Sequence, residues 1–401
     1  MFYNLSVMSE TTPDIQRLND ISHFMNLEPA EDVSSRSGSQ VTKTSARQIS
    51  VCGPDPVISR AVMPNGKRIR LLKTLLTSAC ERNCFYCPFR SGRDYRRETF
   101  KPDEMASTFM ALQRGGVAEG IFLSSGIAGG SFRTQDKIID TISILRTRYQ
   151  YRGYVHLKLM PGAEKAQIEQ AMRLADRVSI NLEAPNANRL ERLAPRKNFV
   201  EELLQPLHLV EDIRSHQPAT SGWRGRWPSL TTQFVVGAVG ESDLEILSTT
   251  NYLNKRFHLA RAYYSAFHPV PDTPFENLSA ETPEREQHLY QASFLLRDYG
   301  FDLEELPFDF AGRLPEKVDP KTAWAQVNLS NLPIEINQAS PEELLRIPGI
   351  GPKGAKSIIK ARRLGALREL GDLRRIGVNP GRLVPFVLLD GKRPYQQLSL
   401  L

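Results

Sequence analysis

Three of the chain's four cysteines, Cys80, Cys84 and Cys87, fall inside "SACERNCFYCPF", spaced C-x3-C-x2-C. Four cysteines in 401 residues, with Cys52 isolated, do not make a disulfide framework and point to a reducing compartment, where clustered thiols are metal ligands. A structural zinc ion takes four protein ligands, usually as two separated pairs, and this loop has no second pair. An iron–sulfur cubane normally takes four thiolates; held by three, it keeps one iron open for a ligand that reacts. A zinc site completed by Cys52 or a histidine, or simply three reduced cysteines in a loop, are the alternatives that the spacing leaves open.

Such a loop needs a frame. From about residue 69, short apolar runs ("IRLLKTLL", "GIFLSS", "YVHLKL", "RVSINL", "LTTQFVVG", "AYYSAF") alternate with amphipathic helical stretches at 102–115, 134–147, 164–174, 199–213, 241–256 and 281–298. The alternation predicts six βα units and a parallel sheet. A closed eight-stranded barrel typically takes about 250 residues, so six strands here predict an α/β fold with a partial, laterally open (β/α)6 TIM-like barrel; a doubly wound sheet is the fallback. In a parallel barrel the C-terminal strand ends converge on one mouth. The cysteines follow the first strand, Ser124, Ser125 and Gly126 close the second, Lys158 lies near the end of the third, Asn181 and Glu183 end the fourth, and Gly237 and Gly240 follow the fifth. One site can gather them all.

The length allows two or three domains. Residues 1–33 form an N-terminal extension whose Ile15, Leu18, Ile21, Phe24 and Met25 recur at a helical period suited to docking. Residues 34–50 are Ser/Thr-rich and read as a flexible link, 51–310 as the barrel, 311–334 as a proline-punctuated connection, 335–393 as a small all-α module and 394–401 as a tail. No apolar run approaches the roughly 18 residues of a membrane span and the start lacks a signal-peptide pattern, so the expectation is a cytoplasmic protein without a membrane partner. Residues 329–401 hold 12 Lys and Arg against 6 acids, so six of the seven net positive charges reside there. A polyanion is the expected partner of that module.

"LTSACERNCFYCPF" after a first strand resembles the radical S-adenosylmethionine superfamily, whose motif is CxxxCxxC with an aromatic residue, here Tyr86, before the last cysteine. The resemblance implies a [4Fe-4S] cluster on Cys80, Cys84 and Cys87, with S-adenosyl-L-methionine on the fourth iron and a 5′-deoxyadenosyl radical as the product of its cleavage. It further implies that Ser124–Gly126 receive the methionine part, that Asn181 and Glu183 hold the ribose, and that Gly237 and Gly240 approach the adenine. Lys158 can instead extend to solvent.

In "INQASPEELLRIPGIGPKGAKSIIKAR", Ser340 and Glu343 form a capping box with Pro341 in its tolerated place, Pro348 to Gly351 make a turn, and Pro352 starts a second helix. Gly349 and Gly351 free backbone N–H groups beside a helix start, a seat for phosphate flanked by Lys353 and Lys356. "GIGPKGAKS" is not a P-loop, because Ala355 breaks the G-K-S adjacency. The stretch resembles the helix-hairpin-helix family, which grips the DNA backbone without reading sequence, and "ELGDLRRIGVNPGRLVPFVL" resembles a degenerate second copy. Together the two parts resemble the uracil-DNA-glycosylase-associated radical proteins of DNA modification or repair. That resemblance implies DNA as partner, a reductant such as flavodoxin or ferredoxin, and an associated uracil-DNA-glycosylase-like protein. RNA, particularly tRNA, modification is the rival enzyme reading; a redox-sensing DNA-binding protein is the rival outside enzymes. Two weaker signals are "WRGRWP", a base-stacking loop or one packed through its tryptophans, and Arg90, Arg93, Arg96 and Arg97, which can meet phosphates at the mouth.

Overall fold

A computed structural model describes residues 12–22, 25, 58–62 and 67–395. The expected link at 34–50, Cys52, Phe24 and residues 396–401 lie outside the described residues. The chain divides into two units, Met1–Gly240 with Arg256–Glu281, and Glu241–Lys255 with Thr282–Leu401.

The first unit holds helix α1 (Thr12–Ser22) and a seven-stranded sheet. Strand β1 (Ile58–Val62) pairs antiparallel with β2 (Arg68–Leu75). From β2 onward every pairing is parallel and between chain neighbours: β3 (Gly120–Ser124), β4 (Tyr154–Lys158), β5 (Arg177–Ser179), β6 (Ser229–Val236) and β7 (Arg261–Ala266). A doubly wound sheet reverses its strand order at a switch point; here the order never reverses, so this is a curled, open partial barrel with edges at β1 and β7. The six expected strands are the six parallel ones, and β1, too short to register as a pattern, was not foreseen. Strands β3 and β4 are buried at every position, as parallel strands covered on both faces must be.

Helices α2 (Pro102–Arg114), α3 (Ser131–Thr147) and α4 (Lys165–Leu174) lie between the early strands. The fourth crossover is longer than its pattern predicted: α5 (Ala187–Leu193), a π-helical turn at Phe199–Leu204, then α6 (Gln205–His216). Ile15, Leu18, Ile21 and Met25 of the docking stripe are buried, and α1 lies against β2. Arg17 fixes it from the side, pairing with Glu98 at 3.5 Å and sitting 4.1 Å over the Phe100 ring.

Helix α7 (Asp243–Phe257) follows β6. The second unit continues with α8 (Pro283–Asp298), α9 (Pro320–Asn328), α10 (Pro341–Arg346), α11 (Pro352–Arg362) and α12 (Leu370–Arg375), plus a two-residue parallel pair, β8 (Ile334–Glu335) with β9 (Val387–Leu388). Its core joins Leu344, Ile347, Ile350, Ile358 and Leu373 to Ala325 and Leu329. Residues 311–334, read from the sequence as a connection, therefore supply a helix to the hairpin module. Asp319 caps α9 by accepting from Thr322 N at 3.1 Å, with Pro320 following it; nine residues with few apolar anchors are too short for periodicity to reveal. Among the described residues no helix is long and apolar enough to cross a membrane.

Candidate functional site

The loop after β2 is held against the end of β3 by its backbone. Leu76 N donates to Ser124 O at 2.9 Å, Gly126 N to Thr77 O at 2.7 Å and Glu81 N to Ile127 O at 2.7 Å. Ile127 N then donates to Cys80 Sγ at 3.4 Å, which aims one thiol. This apposition requires a glycine, because a Cβ on Gly126 would stand 2.3 Å from Ala79 O. On the other side Phe85 N donates to Leu193 O at 2.9 Å. Arg97 ties the loop's far end, donating to the carbonyls of Ser78, Phe89, Arg90 and Arg93.

Cys80, Cys84 and Cys87 line one cavity of about 170 Å³ at the C-terminal ends of the strands, with Tyr86, Ser124, Ser125 and Gly126 in the same wall. Asn181 and Glu183 close it from the β5 side, with Lys158 between. Lys158 does not reach solvent: it is buried and donates to Asn181 Oδ1. Glu183 has a φ of 65°, a left-handed conformation that a non-glycine residue adopts at a cost and that marks constrained sites. Its Oε1 accepts from Lys197 Nζ at 2.9 Å, while its Oε2 is buried without a partner. Gln233 Oε1, in the same lining, is also buried and unpartnered. Two acceptors aimed at an apolar cavity are costly unless a donor arrives.

Burial pushes the Cys84 thiol up, with Lys197 opposing. Burial and then the Cys84 charge push Cys87 up, and burial followed by Glu183 does the same for Tyr86. Burial alone would lower the Lys197 ammonium, but Cys84 and Glu183 outweigh it and hold it charged. A buried cation amid thiols favours their anionic, ligating form. Nothing in the sequence singled out Lys197, which precedes the π-helical turn whose Glu202 pairs with Arg82 of the cysteine loop.

Gly237 and Gly240, expected at the same site, do not line the cavity. The space against Gly237 is filled by Glu281, whose Oε2 lies 2.5 Å from where a Cβ would stand; Gly240 faces Arg189 Nη1 at 3.7 Å. Of the four arginines after Cys87, Arg97 and Arg93 are engaged by backbone carbonyls and Arg96 by Glu98 at 2.6 Å; Arg90 keeps a buried, unpartnered Nε. In "WRGRWP", Trp223 is packed under Arg146, whose guanidinium carbon lies 3.7 Å from the ring centre, so the loop is held through its tryptophan.

In the second unit the capping box forms as expected, Glu343 N donating to Ser340 Oγ at 3.1 Å and Ser340 N to Glu343 Oε2 at 2.7 Å. Gly349 takes a φ of +87°, and Gly351 caps α11 with no side-chain acceptor, leaving the first N–H groups of that helix open. Lys353 and Lys356 are exposed beside it. In the second copy, α12 ends at Arg375, Gly377 follows at φ +79°, and short 3-10 turns at Pro380–Arg382 and Val384–Phe386 replace the second helix.

Residues 74–222 match the radical SAM superfamily and residues 330–379 the helix-hairpin-helix motif. No curated protein matches the chain. Among solved structures, the FeFe-hydrogenase maturase HydG from Carboxydothermus hydrogenoformans is similar at 16% identity and a TM-score of 0.45, over 57% of this chain and 51% of that one. Methylornithine synthase (PylB) is similar at 12% and 0.46, over 58% and 63%. A radical SAM methyltransferase from Sphaerobacter thermophilus is similar at 17% and 0.43, over 60% and 70%. The chain spans about half the length of the HydG structures it matches. By the two family matches, residues 74–222 are a radical SAM superfamily domain, a superfamily whose cofactors are a [4Fe-4S] cluster and S-adenosylmethionine, and residues 330–379 a helix-hairpin-helix motif. The residues fit that cluster. The three thiols that share the cavity are the donor type such a cluster takes; among the described residues no three His, Cys, Asp or Glu side chains close around a single ion.

Proposed function

We propose that this chain is a radical S-adenosylmethionine enzyme that acts on DNA in modification or repair. The observation that carries the reading is the single cavity uniting three cysteine thiols, Tyr86, Ser124–Gly126 and Asn181 with the buried, unpartnered Oε2 of Glu183. When bound, the cluster and S-adenosylmethionine supply a 5′-deoxyadenosyl radical that abstracts hydrogen from substrate. The protein's part is to hold and exclude. Cys80, Cys84 and Cys87 would ligate three irons, and the Gly126 apposition would fix the loop that bears them. Glu183 Oε2 supplies an acceptor for a ribose hydroxyl, while its Oε1 is held by Lys197 at 2.9 Å. Apolar walls from Leu159, Ile180, Val235 and Phe267 limit water at the reacting end.

DNA as substrate is supported by the hairpin match and by the open N–H groups at Gly351 beside Lys353 and Lys356. Such donors suit phosphates and not base edges, so the binding is without sequence preference. The chemistry needs a one-electron donor, for which a flavodoxin or ferredoxin serves, and a uracil-DNA-glycosylase-like protein is the associated partner in this reading.

Reduced, reconstituted protein is incubated with S-adenosylmethionine and duplex DNA, and the products are separated. Release of 5′-deoxyadenosine with a changed nucleoside by mass spectrometry supports the reading; absence of cleavage under several reductants overturns the enzyme. Duplex binding should fall with a log–log salt slope of roughly −3 to −5, and Lys353→Ala or Lys356→Ala should reduce that slope by about 1. A flat salt response, or binding to structured RNA alone, overturns DNA.

A further inference from the structure

The apex of the hairpin turn is held from inside by a residue outside the hairpin. Lys321, in the second position of α9, donates from Nζ to Ile350 O at 2.6 Å, and its side chain is buried. A trans peptide is planar, with its C=O and N–H directed oppositely. The ammonium on the Ile350 carbonyl thus leaves the Gly351 N–H on the far side, and neither that N–H nor the Gly349 N–H has an acceptor among the described residues. A cation donating to a peptide carbonyl polarises the whole unit and strengthens its N–H as a donor, by roughly 10–30% per bond in a hydrogen-bonded chain.

We propose that Lys321 is the positioning residue of the hairpin's phosphate seat, and that seating a DNA phosphate there draws a proton onto its amine. The inference rests on the reading that this hairpin binds the DNA backbone and adds how that binding is regulated.

The neighbours of Nζ explain why the proton is available to be drawn. The Tyr299 ring, after α8, lies 4.7 Å from Nζ, and its hydroxyl stands 3.0 Å from where a Gly351 Cβ would be, filling the floor of the turn. From the turn at Pro380–Arg382, Arg382 donates to Asp319 and, at 2.8 Å, to Thr322 Oγ1, so the acid nearest Lys321 is shared with another cation. From α10, Arg346 pairs with Glu305 at 2.9 Å and adds a third positive charge. Burial first, then Arg382 and Arg346, push the Lys321 ammonium down to about 7, with Asp319 opposing. Burial pushes the Tyr299 hydroxyl up, so it does not titrate near neutrality. A phosphate across the Ile350–Gly351 peptide supplies the anion this cluster lacks, and the charged amine becomes the favoured form.

The test is fluorescence anisotropy of the full chain with a labelled duplex at fixed ionic strength from pH 6 to 8. A free amine that titrates near 7 and stays charged throughout this range when DNA is bound makes affinity up to about tenfold weaker at pH 8 than at pH 6. Lys321→Met should bind weakly with a flat pH profile, and Lys321→Arg tightly with a flat one, since its charge does not titrate in this range. Circular dichroism melts establish folding; should Lys321→Met not fold, Lys321→Arg alone decides. A wild-type profile without slope, or a slope that persists in Lys321→Arg, overturns the inference while leaving DNA binding intact. Absence of duplex binding at every pH and salt overturns the DNA reading and this inference with it.

Discussion

Lys197 offers the sharpest test of the cofactor site, because its ion pair with Glu183 is enclosed: the side chains are 9% and 6% exposed and the atoms 2.9 Å apart. Replacing Lys197 with Met keeps most of the volume and removes the charge. Glu183 then stands in an apolar cavity with neither oxygen's charge answered, and breaking a buried pair from one side costs about 3–5 kcal/mol. A melting temperature moves by about 2–4 °C per kcal/mol in units of this order of size, so apo protein should melt roughly 6 to 20 °C lower. Lys197→Met with Glu183→Gln should lose less than the sum of the two single changes, since the double variant strands no charge. The assay is thermal unfolding of anaerobic apo protein by circular dichroism, with S-adenosylmethionine affinity measured on reconstituted protein in parallel. Both single variants should bind the cofactor more weakly. If Lys197→Met melts within 2 °C of the wild type and the changes are additive (a difference of under about 1 kcal/mol), the pair does not carry the charge balance argued here.

Three further outcomes are expected. Anaerobic reconstitution should load about four irons per chain, and alanine at Cys80, Cys84 or Cys87 should abolish this, whereas Cys52→Ala should not; stoichiometric zinc in place of iron would refute the assignment. Gly126→Ala forces a methyl to within 2.3 Å of Ala79 O and should lower both iron retention and melting temperature, by an overpacking cost of about 1–3 kcal/mol; full iron loading at an unchanged melting temperature would refute the close apposition. The Lys321 amine titrates near 7 folded and near 10.4 unfolded, so between these values the unfolded chain binds more protons and stability rises with pH, by up to about 1.4 kcal/mol per unit. Urea unfolding followed by tryptophan fluorescence at pH 7 and 9 should show this rise and its loss in Lys321→Met; a fall in stability over that window in the wild type contradicts the buried amine.

The sequence by itself determined the chemistry-bearing loop and the frame. Cys80, Cys84 and Cys87 are legible because ligand spacing is local, and the six parallel strands because an apolar run and an amphipathic helix each write a period into consecutive residues. The capping box at Ser340 and Glu343 and the turn at Pro348–Gly351 follow from the same short-range logic. What only the tertiary structure decided are pairings between distant residues and the fate of each strand-end group. Lys197 reaches Glu183, Lys158 turns inward to Asn181, Glu281 fills the space at Gly237, and Lys321 meets Ile350, 29 residues away. Those contacts leave no periodic or compositional trace. Whether a lysine extends to water or is buried against a carbonyl depends on which surfaces close around it, and that is fixed only when the whole chain has folded.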